Sequence, residues 1–226
     1  MQKISLFVFL FIGLASFIHG QTVRQIGPFD EIVLSGDLDV KLEQSDVNEV
    51  HIDDRDGLDN AVTISIQGRR LKISLLDNWI RRDSRSVRVL VRYQRLVDIR
   101  ALAGAEVEVS ETLTTDKLRI KVGSGAELWI DVRSNILEGN VSEGGKLTIS
   151  GTTRFHEASA ATGGIYDASQ LQSEETMVKA NTGGEATVVA TKLLDAVANT
   201  GGQVRYMGEP EQKYMRSNLA GEIRRF

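Results

Sequence analysis

The chain has 226 residues, 41% hydrophobic and 26% charged, with 21 Gly, two Pro and no Cys. That length and composition suit one domain with a real core, and they exclude both a disordered tail and a multispan membrane protein. The absence of Cys rules out disulfides, thiolate metal sites, iron–sulfur clusters and a Cys nucleophile. The formal net charge of −4 gives no electrostatic reason to bind nucleic acid or an anionic membrane.

The first residues, Met1-Gln2-Lys3, form a short positive segment. An apolar run, ISLFVFLFIGLA, follows at 4–15, and the stretch ends on Gly20. This pattern is read as a signal peptide over 1–20, with cleavage before Gln21. The run is short for a span, which needs about 20 apolar residues, so no direct membrane insertion is expected. No Cys follows the leader, so a lipoprotein is not expected either. Removing Lys3 leaves 26 bases against 31 acids, a charge of −5. Export without Cys points to the periplasm or cell surface of a Gram-negative bacterium.

Residues 24–100 are rich in strand patterns, at 37–42, 62–66, 71–75 and 87–91, and Ser35-Gly36-Asp37 resembles a turn. We take 21–100 as a strand-rich cap or irregular first coils, 101–226 as regular repeats, and 27–226 as one continuous domain. A cap is needed because an open solenoid end exposes unpaired strand edges.

A short phrase recurs from residue 103 on. It reads AGAEVEV at 103–109, SGAELWI at 124–130, EGGKLTI at 143–149, TGGIYDA at 162–168, TGGEATV at 182–188 and TGGQVRY at 200–206. A worn copy, LAGEIRR, occupies 219–225. The aligned positions are Gly104, Gly125, Gly144, Gly163, Gly183, Gly201 and Ala220, spaced by 21, 19, 19, 20, 18 and 19 residues. Such a period is the mark of a solenoid.

Inside each copy the pattern has period two, as in a half-buried strand. One inward column downstream of the Gly reads Val107, Leu128, Leu147, Tyr166, Ala186, Val204 and Ile223. A second reads Val109, Ile130, Ile149, Ala168, Val188 and Tyr206. Upstream, Ala-rich columns run Ile99, Ile120, Gly139, Ala158, Val178, Ala196, Met215 and Ala101, Val122, Val141, Ala160, Ala180, Ala198, Ser217. Small residues facing large ones predict a flattened core, and the turn Gly supplies positive φ. The fold class is all-β: a parallel β-helix with coils of about 19 residues, its seven aligned turns about 29 Å long.

Phe29-Asp30-Glu31-Ile32, the Gly-centred turns, and Tyr206-Met207-Gly208-Glu209-Pro210 together resemble the auto-transporter adhesin head GIN domain family, over about 27–226. The resemblance implies a single-stranded right-handed parallel β-helix similar to pectin-lyase-like solenoids. It also implies a role in cell adhesion with no catalytic residues, and a trimer, although no heptads or stalk are present to enforce one.

Catalytic patterns are sparse. His51 and His156 are the histidines beyond the leader, neither in a nucleophile motif, and His156 shares a strand-start column with Val97, Leu118, Leu137 and Leu194. One Gly turn per coil does not fit the three hexads of hexapeptide acyltransferases. Glu106 and Glu127 share an outward column on adjacent coils, the pairing a carbohydrate-active β-helix enzyme would use, but Lys146 follows and a wet face of mixed charge is the simpler reading. The run 53–59 (DDRDGLD) departs from a calcium loop, with Ile52 where an acid belongs. The strongest binding candidates are Trp79, Arg81, Arg82 and Arg85 in one polar connection, and Trp129, predicted to point outward between Glu108 and Thr148. No catalytic residue, cofactor or metal is expected. The expected partner is a surface ligand, glycan or protein, with a carbohydrate-active enzyme or a periplasmic scaffold as the alternatives.

Overall fold

The computed structural model describes residues 21–53, 62–75 and 87–226. Their regular structure is all strand: β1 (Gln21–Gln25), β2 (Glu31–Ser35), β3 (Leu38–Gln44), β4 (Glu49–Asp53), β5 (Val62–Gln67), β6 (Arg70–Leu75), β7 (Val87–Tyr93), β8 (Asp98–Leu102), β9 (Glu106–Val109), β10 (Leu113–Val122), β11 (Glu127–Val141), β12 (Lys146–Ala161), β13 (Ile165–Asn181), β14 (Glu185–Val189), β15 (Leu193–Asn199), β16 (Gln203–Met207), β17 (Gln212–Asn218) and β18 (Glu222–Arg225). They wind into a parallel β-solenoid of about 7 turns, with coils about 19 residues apart.

Each regular coil climbs one sheet, reverses at the Gly turn and descends the other. The columns read from the sequence are the ladders of these two sheets. Val107 pairs with Leu128, Leu128 with Leu147, Leu147 with Tyr166 and Tyr166 with Ala186 downstream of the turns. Upstream, Ile99 pairs with Ile120, Ile120 with Gly139, Gly139 with Ala158 and Ala158 with Val178. Both sets point into one core, and alternate residues point to solvent. The one coil of 20 residues carries its extra residue as a bulge in β13, where the partner of Thr148 is Asp167 and that of Ser150 is Gln170.

The reversals use two left-handed residues in succession. Thr182 (φ 48) precedes Gly183 (φ 70), and the Gly184 N–H closes the turn on Asn181 O at 2.9 Å, as in a type I′ turn. A Cβ at Gly183 would meet nothing within 4 Å, so Gly is there for its φ. The second Gly has a different cause. A Cβ on Gly202 would lie 2.2 Å from Ala180 O, where the turn packs on the coil beneath. Turns also bond along the stack, the Gly183 N–H donating to Thr200 O at 3.1 Å. Asn199 donates to Asn181 Oδ1 at 3.0 Å, and Asn218 to Asn199 Oδ1 at 3.2 Å, forming an amide ladder beside them.

The first coils do not stack in chain order. β2 lies between β6 and β8, parallel to both, and β3 lies likewise between β7 and β9. The coil made first, turning at Gly36 (φ 99), is therefore enclosed by two made later. Beyond it the parallel order ends. β4 runs antiparallel to β7, β1 to β4, and β5 to β6, so the chain's own hairpins cover this end of the rod.

Small facing large is most pronounced at one level. Tyr166 crosses the core to lie against Gly139, where a Cβ would come within 2.2 Å of its Oη. His156, from the column of Leu137, is fully buried beside it, with Nε2 2.8 Å from Tyr166 Oη.

Candidate functional site: the outer faces of the two sheets

Alternation in the strands leaves two flat outer faces. On the downstream sheet two solvent columns run across the coils. One contains Asp39, Glu106, Glu127, Lys146, Ile165 and Glu185, and the other contains Lys41, Glu108, Trp129, Thr148 and Asp167. Trp129 stands between Glu108 and Thr148 and is 37% exposed. On its own strand Glu127 precedes it and Asp131 follows on the same face. Asp131 is held by Ser150 Oγ at 2.8 Å and Thr112 Oγ1 at 2.5 Å, which stiffens that border of the Trp.

The structure places Glu106 and Glu127 as ladder partners and adds Asp39 as a third acid in the row. Glu127 Oε2 lies 3.8 Å from Lys146 Nζ. Neither Glu106 nor Glu108 has an ion-pair partner among the described residues. No group of three or more His, Asp or Glu among those residues could hold a metal ion. The row therefore presents carboxylates to solvent side by side rather than around a common point.

On the upstream sheet Glu157, Met177, Lys179, Asp195, Val197 and Arg216 line a shallow depression of about 150 Å³. That is below the roughly 300 Å³ of the smallest usual small-molecule pockets. Its wall is fixed by an ion pair, Arg216 Nη2 to Asp195 Oδ1 at 3.0 Å. At the first regular coil of this sheet Asp98 is buried between Arg100, at 2.9 Å, and Arg119, at 3.3 Å. The hydrogen bonds that Arg100 donates to the Asp98 carboxylate hold its guanidinium further into its charged range.

The two histidines lie apart. His51 belongs to β4 in the covered end, with Nε2 3.0 Å from Glu49 Oε2, and Glu49 also meets Arg92 at 3.5 Å. His156 lies inside the core with no partner for Nδ1, and burial pushes its pKa down to about 3. Burial pushes the Tyr166 hydroxyl well up. Neither ring can exchange protons with a surface ligand. Trp79, Arg81, Arg82 and Arg85 lie outside the described residues, as do the leader and the run after Asp53. Sequence reasoning missed the apolar cluster of the last coil, where Tyr214, Met215, Leu219 and Phe226 are exposed. The signal was available: the worn repeat LAGEIRR ends the Ala-rich columns on Met215 and Ser217.

Solved structures of similar fold come from Bacteroides and Parabacteroides. A "putative adhesin" from Bacteroides fragilis superposes with a TM-score of 0.85 at 18% identity, covering 91% of this chain and 96% of its own. One from Parabacteroides merdae gives 0.72 at 20% identity, covering 92% and 95%. One from Parabacteroides distasonis gives 0.69 at 22%, covering 92% and 96%. At these identities the likeness concerns the fold. No curated protein matches the chain. Its family is shown by a family model that matches residues 28–210: the chain belongs to the family described as "Putative auto-transporter adhesin, head GIN domain".

Proposed function

We propose that the chain is an exported, non-enzymatic adhesion module that binds a surface ligand, glycan or protein, on the outer face of its downstream sheet. The observation that carries this reading is Trp129, an aromatic side chain 37% exposed on the outer face of a flat sheet between Glu108 and Thr148. Such a platform suits stacking on a sugar ring or an extended polypeptide. The family's adhesin description supports the class. No helix among the described residues is long and apolar enough to cross a membrane.

Two measurements test the reading. Protease added to intact cells should digest the protein while an intracellular control survives; protection until the outer membrane is breached would make it a periplasmic scaffold instead. The purified protein should retain a ligand in glycan and matrix-protein screens, and Trp129→Ala should weaken that binding by about tenfold or more, the loss of one aromatic anchor. Turnover of an acidic glycan abolished by Glu127→Ala would replace adhesion with catalysis.

A further inference from the structure

The two ends of the rod are finished differently. At the first end the antiparallel strands β1, β4 and β5 cover the coil edges. At the other, β17 is exposed along its whole length and β18 nearly so. In parallel pairing, N–H and C=O of alternate residues face one neighbour. The Gln212 N–H donates to Lys192 O at 3.0 Å, the Glu222 N–H to Gly202 O at 2.9 Å and the Phe226 N–H to Tyr206 O at 2.9 Å. Lys213, Met215 and Ser217 therefore turn their main-chain groups to the free edge of one sheet, and Ile223 and Arg225 to that of the other. Tyr214, Met215, Leu219 and Phe226 are all exposed here, the last two by 78% and 82%. No other part of the described surface gathers so many large apolar side chains.

We propose that this edge is an interface for a second copy of the chain, joined tail to tail about a two-fold axis that passes through both sheets near Ser217 and Ile223. A two-fold axis normal to the sheets reverses the strands, so β17 and β18 each meet their own copy antiparallel, and the contact closes on itself. The side chains suit that register. In β18, Ile223 meets Ile223 on the core side, continuing the column of Val204, while Glu222 faces Arg224 of the other copy, and the reverse. In β17, Ser217 meets Ser217. Arg216 faces Asn218, whose Nδ2 is already used by Asn199 and whose Oδ1 is left to accept. Opposite charges, an apolar pair and a free acceptor are thus matched by one symmetry operation. A like-charged register, with Arg224 on Arg224, lies one residue away and is disfavoured. The occupant is therefore this sequence rather than an unrelated strand.

The absence of native Cys makes the test direct. Residues opposed in a hydrogen-bonded antiparallel pair lie about 5.5 Å apart at Cα, within the roughly 4.4–6.8 Å a disulfide spans. Ser217→Cys should give a covalent dimer under mild oxidation by diamide, while Lys213→Cys, which lies beyond the overlap of the two copies of β17, should not. Without oxidant, the purified chain should reach twice the monomer mass in light scattering as concentration rises. Ser217→Pro removes an edge N–H without touching an internal bond, and should weaken the dimer by about tenfold or more with the melting temperature of the monomer unchanged. A monomer at every concentration would overturn the proposal. So would open-ended growth, which means head-to-tail stacking, or equal cross-linking through position 213.

Discussion

His156 has Leu137 below it in its column and Thr176 above, and its Nε2 lies against Tyr166 Oη. Its pKa of about 3 lies below the ordinary value of 6.5. The unfolded chain therefore takes up a proton that the folded chain refuses once the pH drops below 6.5. Stability from this residue is intact above that pH and falls by about 1.4 kcal/mol per pH unit towards pH 3. We expect His156→Leu, which extends the Leu column, to flatten the decline of melting temperature between about pH 6 and pH 4 relative to the parent. A parallel decline in both proteins would assign the acid sensitivity to carboxylates. Gly139→Ala tests the other side of the same contact. Its Cβ has nowhere to go but into Tyr166, and overpacking of this kind costs about 1–3 kcal/mol, readable as a lower urea midpoint.

At the scale of the element, the Gly-Gly turn is two devices in one dipeptide. Gly201→Ala puts a methyl group in open space and should cost only about 1 kcal/mol for its positive φ. Gly202→Ala drives a methyl group into Ala180 O and should cost more, because the whole turn must lift from the coil beneath. Asn199→Ala removes both bonds of the amide ladder, and about 1–2 kcal/mol should be lost, measured by chemical unfolding. The turns and their columns were legible because one residue type recurs at one spacing. The stacking order of the first coils was not. Strands β3, β5, β6 and β7 were read from alternation, but β2 and β4 are short, and no periodicity tells that β2 and β3 insert between strands that come later. The close fit of Tyr166 over Gly139 was hinted at by a Gly among Ala. The hydrogen bond to His156 was not, since it joins columns that the sequence keeps ten residues apart.

For the whole molecule, a stack of coils in which each touches only its neighbours behaves as a one-dimensional array. Amide exchange should therefore be graded along the rod. We expect β12, paired over nearly its whole length with β11 on one side and β13 on the other, to exchange slowest, and β17 and β18 fastest, with exchange of β17 slowed when the chain dimerises. Uniform protection from β12 to β18 would show a single cooperative unit instead. The outward Trp129 was visible in the sequence because the alternation fixes the face of every residue in a strand. What it binds was not, since a flat face has no enclosing geometry from which a ligand's shape could be read.

The enclosure of β2 and β3 between later coils gives the rod a mechanical polarity. Tension on the last residues can unwind the solenoid as thread leaves a spool, one coil and one set of ladders at a time. Tension on the first residues strips β1 from β4 and then meets a coil clamped on both sides, which must break two sets of ladders together before more length is released. A tether on the early end would hold under load, whereas a tether on the late end would pay out chain in steps of about one coil.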